Sequence, residues 1–283
     1  MILGAHESIA GGVSSCFARA LKDGADCVQI FTKNARGWAA KPFDPAEVEA
    51  FKSEARRTGL PVIAHCTYLV NLGAEDDAMR EKSRGGFVDE LLRCAKLGIP
   101  WLVLHPGAHQ DTEAGIAHIA AGLDSALSQV EADTGVLLEV TAGQGSSIGW
   151  RFEHLARILE KTRQARRVGV CLDTCHLYAS GYDIGTTQGF AKTLEELDRA
   201  VGLSRVKAVH LNDCKKPLGS KVDRHEEIGE GELGLGPFAA FLKETRFEKV
   251  LGILETPDPD KYRASLKKLR GLAAGRGRRK SAP

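Results

Sequence analysis

Short apolar segments recur along the chain and alternate with stretches of helical character. The segment at residues 168–172, VGVCL, carries no charge and is too short to show helical periodicity. Runs of this kind are typical of strands that are buried on both faces in a parallel sheet. The pattern predicts eight such strands, at residues 2–5, 27–32, 61–64, 101–104, 136–138, 168–172, 206–209 and 250–254.

The clearest helix is predicted over residues 43–59. Asp44 is placed as its N-cap, Pro45 as its first residue, Glu47 as the partner that completes a capping box, and Gly59 as its end. Further helices are predicted over residues 12–22, 80–97, 113–131, 152–166, 194–201, 237–245 and 260–272. Eight strands alternating with eight helices over about 250 residues indicate an α/β protein with a single (β/α)8 TIM barrel. A doubly wound open sheet is the competing architecture.

Polar side chains with metal-ligand chemistry follow nearly every predicted strand. In a (β/α)8 barrel the carboxyl ends of the strands carry the active site, so these side chains are expected to converge there. They are His65, His105, Glu139, Asp173, His176, His210, Asp223, His225 and Glu255. Imidazole and carboxylate groups without thiolate favour zinc or manganese over magnesium or calcium. Nine ligands exceed the needs of one catalytic ion and predict a cluster of two or three, which favours phosphoryl-transfer chemistry.

Composition sets the class of protein and its compartment. With 43% hydrophobic and 27% charged residues the chain is expected to be soluble and globular, and no apolar run approaches the ~20 residues of a membrane helix. The N-terminus lacks the pattern of a signal peptide, and the seven cysteines are scattered along the chain. We therefore expect reduced thiols in a cytoplasmic protein.

Charge is unevenly distributed along the chain. The formal net charge is +2, but residues 261–280 hold nine of the 39 basic residues and no acidic one, which leaves 30 bases against 37 acids, or −7, in residues 1–260. We expect a barrel domain at residues 1–274 and a basic tail at residues 275–283. The tail is either a solvated end of the chain or an additional contact with a phosphate backbone.

Six motifs occur in an order and spacing that resemble the endonuclease IV family of apurinic/apyrimidinic endonucleases, within the xylose-isomerase-like TIM barrel superfamily. They are HPGAH, TAGQGSSIG, CLDTCHLYASGYD, HLNDCK, VDRHEEIGEG and LET. The resemblance runs from Gly4 to Glu255, about 90% of the chain, and includes all nine candidate ligands. The chain departs from the family pattern at Val140 and Cys66, where a polar residue is more usual, which affects hydrogen bonding around the ligands rather than the ligands themselves.

The resemblance implies hydrolysis of the phosphodiester bond 5′ to an abasic site, leaving a 3′-hydroxyl and a 5′-deoxyribose phosphate. It implies about three Zn²⁺ ions per chain, with Mn²⁺ an alternative at one position. The first ion would be held by His65 and His105, and Glu139 would bridge it to the second. The second would be held by Asp173, His210 and Glu255, and the third by His176, Asp223 and His225. A hydroxide between the first two ions would attack the phosphate, with Glu139, Asp173 and Glu255 as catalytic residues and Glu139 orienting the hydroxide.

The same resemblance implies how duplex DNA is bound. The segments FTKNARGW and HCTYLVNLG are similar to the recognition loops of the family. By this similarity Arg36, Tyr68 and Leu69 should enter the duplex at the lesion, where an apolar or aromatic wedge fills the gap in the base stack. The expected partner is duplex DNA containing an abasic site, bound by a monomer without involvement of a membrane.

Two other functions remain open from the sequence. A metal-dependent sugar isomerase or epimerase also uses a (β/α)8 barrel, but with a single ion and therefore fewer ligands than the nine found here. A catalytically inactive DNA-damage-binding protein would keep the same motifs. The G-x-G-x-x-G pattern at residues 229–234 follows a charged loop rather than a strand, which argues against a dinucleotide site.

Overall fold

The eight apolar segments form the strands of a closed parallel barrel. The structure, a computed structural model, describes residues 1–131 and 133–275. The strands are β1 (Ile2–His6), β2 (Cys27–Phe31), β3 (Val62–His65), β4 (Trp101–Leu104), β5 (Gly135–Glu139), β6 (Val168–Asp173), β7 (Val206–His210) and β8 (Leu251–Leu254). Each strand pairs with the next along the chain, and β8 pairs with β1 to close the barrel. The predicted TIM barrel is confirmed, and the open-sheet alternative is wrong.

Helices surround the barrel. They are α1 (Ser15–Asp23), α2 (Pro45–Thr58), α3 (Asp77–Leu97), α4 (Thr112–Leu127), α5 (Phe152–Lys161), α6 (Thr174–Ser180), α7 (Thr187–Ala200), α8 (Gly236–Lys243) and α9 (Tyr262–Ala274). None of these helices is long and apolar enough to cross a membrane. Apart from Gly275, the basic tail expected at residues 275–283 lies outside the described residues.

Two helices start several residues earlier than expected because their first turn is set by a cap rather than by apolar periodicity. Asp76 caps α3 by accepting a hydrogen bond from the amide of Met79, so this helix starts before residue 80. Thr186 caps α7 by accepting from the amide of Gly189, so this helix starts before residue 194. The seven-residue helix α6 is absent from the prediction, since it is too short for a periodic pattern.

Helix α2 has the predicted ends but not the predicted capping box. The Asp44 carboxylate accepts from the amide of Ala46 at 2.8 Å, and Gly59 ends the helix in a left-handed conformation. Glu47 does not bond back to Asp44. Its Oε1 accepts from the amide of Val13 at 3.3 Å, which joins α2 to the loop before α1.

Two apolar layers fill the fold. Strand residues such as Ile63, Val103 and Leu137 pack inside the barrel, and a larger layer lies between strands and helices. The strands approach so closely at Gly4 that a Cβ atom there would overlap the carbonyl oxygen of Cys27. Apolar packing of the barrel interior leaves the carboxyl ends of the strands as the place where polar side chains gather.

Candidate metal centre

The carboxyl ends of six strands supply most of the candidate ligands. His65, Glu139, Asp173 and His210 are the last residues of β3, β5, β6 and β7, and all four are buried. Asp173 and His210 are register partners in neighbouring strands. His105 and Glu255 directly follow β4 and β8. Parallel pairing therefore brings residues that are distant in sequence to one edge of the barrel.

The remaining three candidates come from a helix start and a loop. Asp173 is the N-cap of α6 and accepts from the amide of His176 at 2.8 Å, so their three-residue spacing brings both side chains to the same place. Asp223 lies in the long loop after β7. His225 belongs to the short strand His225–Glu226, which pairs antiparallel with Asp213–Cys214. This pairing folds the loop back toward the barrel.

The candidate ligand atoms form connected groups, and within each group they lie within 4.8 Å of one another. The groups are His65, His105 and Glu139; Glu139, Asp173, His210 and Glu255; and His176, Asp223 and His225. Glu139 belongs to two of them. Its Oε2 lies 3.1 Å from His65 Nε2 and 3.0 Å from His105 Nε2, and its Oε1 lies 3.0 Å from His210 Nδ1. The structure thus brings all nine predicted residues together, with Glu139 in a bridging position.

A further combination of Asp173, Cys175 and His225 includes a thiol. Hydrogen bonding to Cys214 and burial raise the pKa of Cys175 far above its usual range. Because the thiolate, not the thiol, is the metal ligand, Cys175 is a poor candidate beside the imidazoles and carboxylates.

Four of the five candidate histidines direct one ring nitrogen to a carbonyl oxygen of the protein. Three of them use Nδ1 and a backbone carbonyl: His65 lies 2.7 Å from Cys66 O, His176 lies 2.9 Å from Val140 O, and His225 lies 3.2 Å from Glu255 O. The fourth, His210, uses Nε2, which lies 2.9 Å from the side-chain oxygen of Gln29. Carbonyl oxygens only accept hydrogen bonds, so each ring donates its proton there. The other ring nitrogen is left with a free lone pair, which is the form that binds a metal.

The free nitrogens face carboxylates instead of donors. His176 Nε2 lies 3.2 Å from Asp223 Oδ2, and His225 Nε2 lies 3.4 Å from Asp223 Oδ1. Both nitrogens are buried and have no hydrogen-bond partner among the described residues. Lone pairs that face carboxylate oxygens repel unless a proton or a metal cation lies between them. The donor set therefore fits a cluster of divalent ions.

Electrostatics favour the ionised form of two carboxylates of the centre, Glu139 and Asp223. Burial raises the pKa of Glu139, but His210 and His105 outweigh it, and the pKa falls well below its usual range. Burial also raises the pKa of Asp223, and there His176 and His225 reverse the shift. These shifts depend on positive charge at the imidazoles. Although burial lowers the pKa of His176 and His210, neighbouring carboxylates that include Glu139 raise it well above its usual range. Bound divalent cations would supply the positive charge in place of those protons.

Two amide side chains support the ligands, and sequence reasoning missed both. Buried Gln29 accepts from His210 Nε2 and lies 2.9 Å from His6 Nδ1. Asn212 donates to Asp173 Oδ2 at 2.7 Å and accepts from the amide of Glu255 at 3.0 Å. A signal existed for each: Gln29 is the single polar residue of the strand CVQIF, and Asn212 stands inside the HLNDCK motif.

Of the predicted DNA-contacting residues, Tyr68 lies beside this centre. The Tyr68 side chain is 59% exposed, and its ring centroid is 5.6 Å from that of His65 and 6.0 Å from that of His105. Leu69 is partly exposed, and Arg36 is exposed on the neighbouring loop. A cavity of about 440 Å³ opens next to Tyr68, His105 and Asp223. A larger cavity of about 610 Å³, at the opposite end of the strands, contains none of the candidate ligands.

The G-x-G-x-x-G loop at residues 229–234 is held by a carboxylate. The amides of Gly229, Gly231 and Leu233 donate to the buried side chain of Asp213, at 2.9, 3.1 and 2.9 Å. Amides already bonded to a protein carboxylate are not free to hold a phosphate group. The loop is therefore a structural support of the segment after His225 and not a dinucleotide site.

A closed parallel barrel with a histidine–carboxylate cluster at its strand ends defines the class of metal-dependent TIM-barrel enzymes. Comparison with known proteins agrees, because residues 17–272 match the family described as xylose isomerase-like TIM barrel. "Probable endonuclease 4" from Chloroflexus aurantiacus is 50% identical over 279 residues, covering 96% of this chain and 98% of that protein. The crystal structure of endonuclease IV from Thermus thermophilus matches with a TM-score of 0.87 and 39% identity, covering 97% of this chain and 100% of that one.

The chain therefore belongs to the endonuclease IV family within the xylose isomerase-like TIM barrels. A D-tagatose 3-epimerase-like protein also matches, with a TM-score of 0.71 but 18% identity, over 97% of this chain and 99% of that one. The relation to the epimerase is one of fold alone.

Proposed function

We propose that the protein is a DNA-repair endonuclease that hydrolyses the phosphodiester bond 5′ to an abasic site and leaves a 3′-hydroxyl and a 5′-deoxyribose phosphate. The observation that carries the proposal is the size of the cluster: nine imidazole and carboxylate residues form three groups, two of which share Glu139. The third group contacts them through His176, which lies 3.2 Å from Glu139, and His225, which lies 3.6 Å from Asp173. Membership of the endonuclease IV family supports it. The proposed setting is the cytoplasm, where a monomer acts on duplex DNA.

The cluster would hold about three zinc ions, with manganese an alternative at one position. His65 and His105 would hold the first, Asp173, His210 and Glu255 the second, and His176, Asp223 and His225 the third. When bound, such ions supply Lewis acidity: they acidify water and neutralise charge on the attacked phosphate and the leaving oxygen. Glu139 presents one oxygen to His65 and His105 and the other to His210, which suits a bridging carboxylate.

The protein's own residues would select and position the substrate. The exposed ring of Tyr68, close to His65 and His105, would fill the gap left in the base stack together with Leu69. The exposed Arg36 would offer a cation to the backbone. An abasic nucleotide has no base to unpair, so moving it out of the duplex costs less than flipping a normal nucleotide. The adjoining cavity of about 440 Å³ is suited to receive a displaced sugar-phosphate.

The first test is cleavage of a duplex containing one abasic analogue, before and after chelation, with bound metal counted on the same sample. We expect incision 5′ to the lesion, about three bound ions and loss of activity on chelation. One bound ion and an intact duplex would favour a sugar isomerase or epimerase instead. Tight binding of the abasic duplex without incision would favour a damage-binding protein.

Variants of the candidate metal ligands test their role in cleavage. Glu255→Gln or Asp173→Asn should abolish cleavage with the fold intact, because each removes a carboxylate of the candidate centre. The matched control is Glu248→Gln, at an exposed glutamate. Full activity in either cluster variant would refute the metal assignment.

Leu69→Ala should reduce abasic-site cleavage more than general duplex affinity. Equal losses would indicate that Leu69 only packs its loop.

A further inference from the structure

Two surface segments that carry the proposed DNA-contacting residues are hydrogen-bonded, in or next to each segment, to the same side chain of α3, that of Glu90. They are residues 33–38, which include Arg36, and residues 66–70, which include Tyr68 and Leu69; we refer to them as the recognition segments. We propose that Glu90 is a positioning residue that holds the two recognition segments as one rigid unit. This inference rests on the proposed function, because it concerns how abasic DNA is recognised.

The first recognition segment is fixed by a buried lysine. The Lys33 side chain is 1% exposed, and its Nζ donates to Trp38 O at 3.1 Å and to Asp89 Oδ2 at 2.8 Å. The same Nζ lies 3.7 Å from Glu90 Oε1. The Trp38 ring packs on α3 so closely that a Cβ atom on Gly86 would come within 3.3 Å of it. The segment therefore folds back onto the helix at both of its ends.

Glu90 joins this segment to the second one. Its Oε2 accepts from the hydroxyl of Thr32 at 2.6 Å, and its Oε1 accepts from the amide of Thr67 at 3.2 Å. Thr32 directly precedes the first recognition segment and Thr67 lies within the second. One carboxylate thus takes a hydrogen bond from each side, and loss of its charge would loosen both.

The recognition segments also touch each other. The Thr67 hydroxyl and the amide of Tyr68 both donate to the carbonyl oxygen of Ala35, the latter at 3.3 Å. Arg36 follows Ala35 directly, so the exposed arginine and the exposed tyrosine are set on one hydrogen-bonded platform. Glu90 itself is 1% exposed and cannot contact DNA. Its effect on recognition must therefore act through the segments that it holds.

A rigid platform lowers the cost of binding. Loops that are ordered before they meet DNA lose less conformational freedom on association. A buried carboxylate that bonds to both loops couples them, because replacing it by an amide leaves one of the two donors, Thr32 or Thr67, without an acceptor. It also removes the attraction between Glu90 and Lys33, although Lys33 keeps its ion pair with Asp89. Glu90 belongs to none of the candidate metal groups, so its loss should weaken recognition of the lesion and leave the metal content unchanged.

The test compares Glu90→Gln with Glu81→Gln, a control at an exposed glutamate of the same helix. Hydrogen–deuterium exchange of the recognition segments and steady-state cleavage of an abasic-analogue duplex are measured on the full chain. In Glu90→Gln we expect exchange in both segments and KM to rise about tenfold, the effect of losing about one hydrogen bond to a charged group. We expect kcat to change less than about twofold, with metal content and affinity for undamaged duplex unchanged. Glu81→Gln should behave like the wild type.

Each other outcome overturns a stated part of the inference. Unchanged exchange in both segments would show that Glu90 does not anchor them, and faster exchange with an unchanged KM would show that anchoring does not matter for recognition. Parallel loss of kcat and metal would show that Glu90 acts through the metal centre, which the second segment adjoins at His65, two residues before Thr67. If Glu90→Gln does not fold, Thr67→Val removes the hydroxyl bond to Ala35 with little change of shape and should shift KM in the same direction. A wild-type protein that does not cut the abasic duplex refutes the proposed function, while the exchange measurement still decides the anchoring.

Discussion

At the scale of single residues, Glu7 is a buried carboxyl group that belongs to none of the candidate metal groups. It is 5% exposed, and its Oε1 is buried without a hydrogen-bond partner among the described residues. Burial, assisted by the charge of Asp23, raises the pKa of Glu7 to about 7, although Arg19 and Lys22 oppose the shift. The folded state therefore favours the neutral acid.

This raised pKa predicts a pH-dependent stability. A group whose pKa is higher in the folded state contributes stability that is present below its unfolded pKa, here 4.5, and is lost as the pH rises through about 7. When the pH rises from 5 to 8, the wild type should lose about 2 to 3 kcal/mol of unfolding free energy through ionisation of Glu7. Glu7→Gln cannot ionise at this position and should not show that loss. Urea unfolding at both pH values measures this, with Glu131→Gln at an exposed site as the control. Parallel curves for wild type and Glu7→Gln would contradict the prediction.

Single residues also explain two departures from the family pattern. Val140 and Cys66 stand where the family pattern has polar side chains, but the structure uses their backbone carbonyls, which accept from His176 Nδ1 and His65 Nδ1. Any residue type supplies such a carbonyl, so these substitutions leave the outer hydrogen bonds of the histidines in place. A sequence shows side chains, and for that reason it could not reveal that the contact comes from the backbone.

At the scale of elements, closure of the barrel depends on the contact between β1 and β2. Gly4 pairs with Cys27 in the register of these strands, and a Cβ atom at Gly4 would overlap the Cys27 carbonyl oxygen. Backbone atoms of a paired strand cannot move aside without breaking the ladder. The position therefore requires glycine for reasons of space.

Gly4→Ala should destabilise the protein by about 3 kcal/mol or more, at the upper end of the range for overpacked cores. Gly85→Ala is the matched control, since Gly85 lies within α3 with no neighbour close to the position of a new Cβ. That change should be neutral or stabilise by up to about 1 kcal/mol through helix propensity. Thermal or urea unfolding gives both values, and a Gly4→Ala variant as stable as the wild type would show that β1 can shift to make room.

The positions of the strands can be predicted from the sequence more fully than their ends. The apolar pattern locates all eight strands, but it places His65, Glu139, Asp173 and His210 after the strands that they in fact end. A polar residue normally marks the end of an apolar run, and only the pairing of neighbouring strands extends the ladder through it. The hairpin of Asp213–Cys214 with His225–Glu226 depends on contacts across a long loop and has no local pattern.

At the scale of the whole molecule, the candidate centre joins elements from most of the barrel. Its ligand-type residues come from the ends of six strands, β3 to β8, from the first turn of α6 and from the loop that follows β7. Their positions follow from the register of the barrel, so the constellation could be predicted once eight strands were recognised. The supporting contacts of Gln29 and Asn212 could not, because they depend on which face of a strand meets which ligand.

A centre that spans so many elements should stabilise the entire fold when metal is bound. A ligand that binds the folded state alone adds RT ln(1 + [L]/Kd), about 4 kcal/mol at a thousandfold excess over Kd. For a chain of this size that corresponds to a rise in Tm of about 7 °C. Calorimetry of the zinc-loaded protein before and after chelation should show a fall of this order and its reversal when zinc is restored. Asp173→Asn should show a smaller fall, and the exposed control Glu248→Gln should respond like the wild type. A Tm that does not change on chelation would mean that the cluster is not a metal site under these conditions, because buried carboxylates facing unprotonated imidazoles cannot bind a cation tightly without a gain in folding free energy.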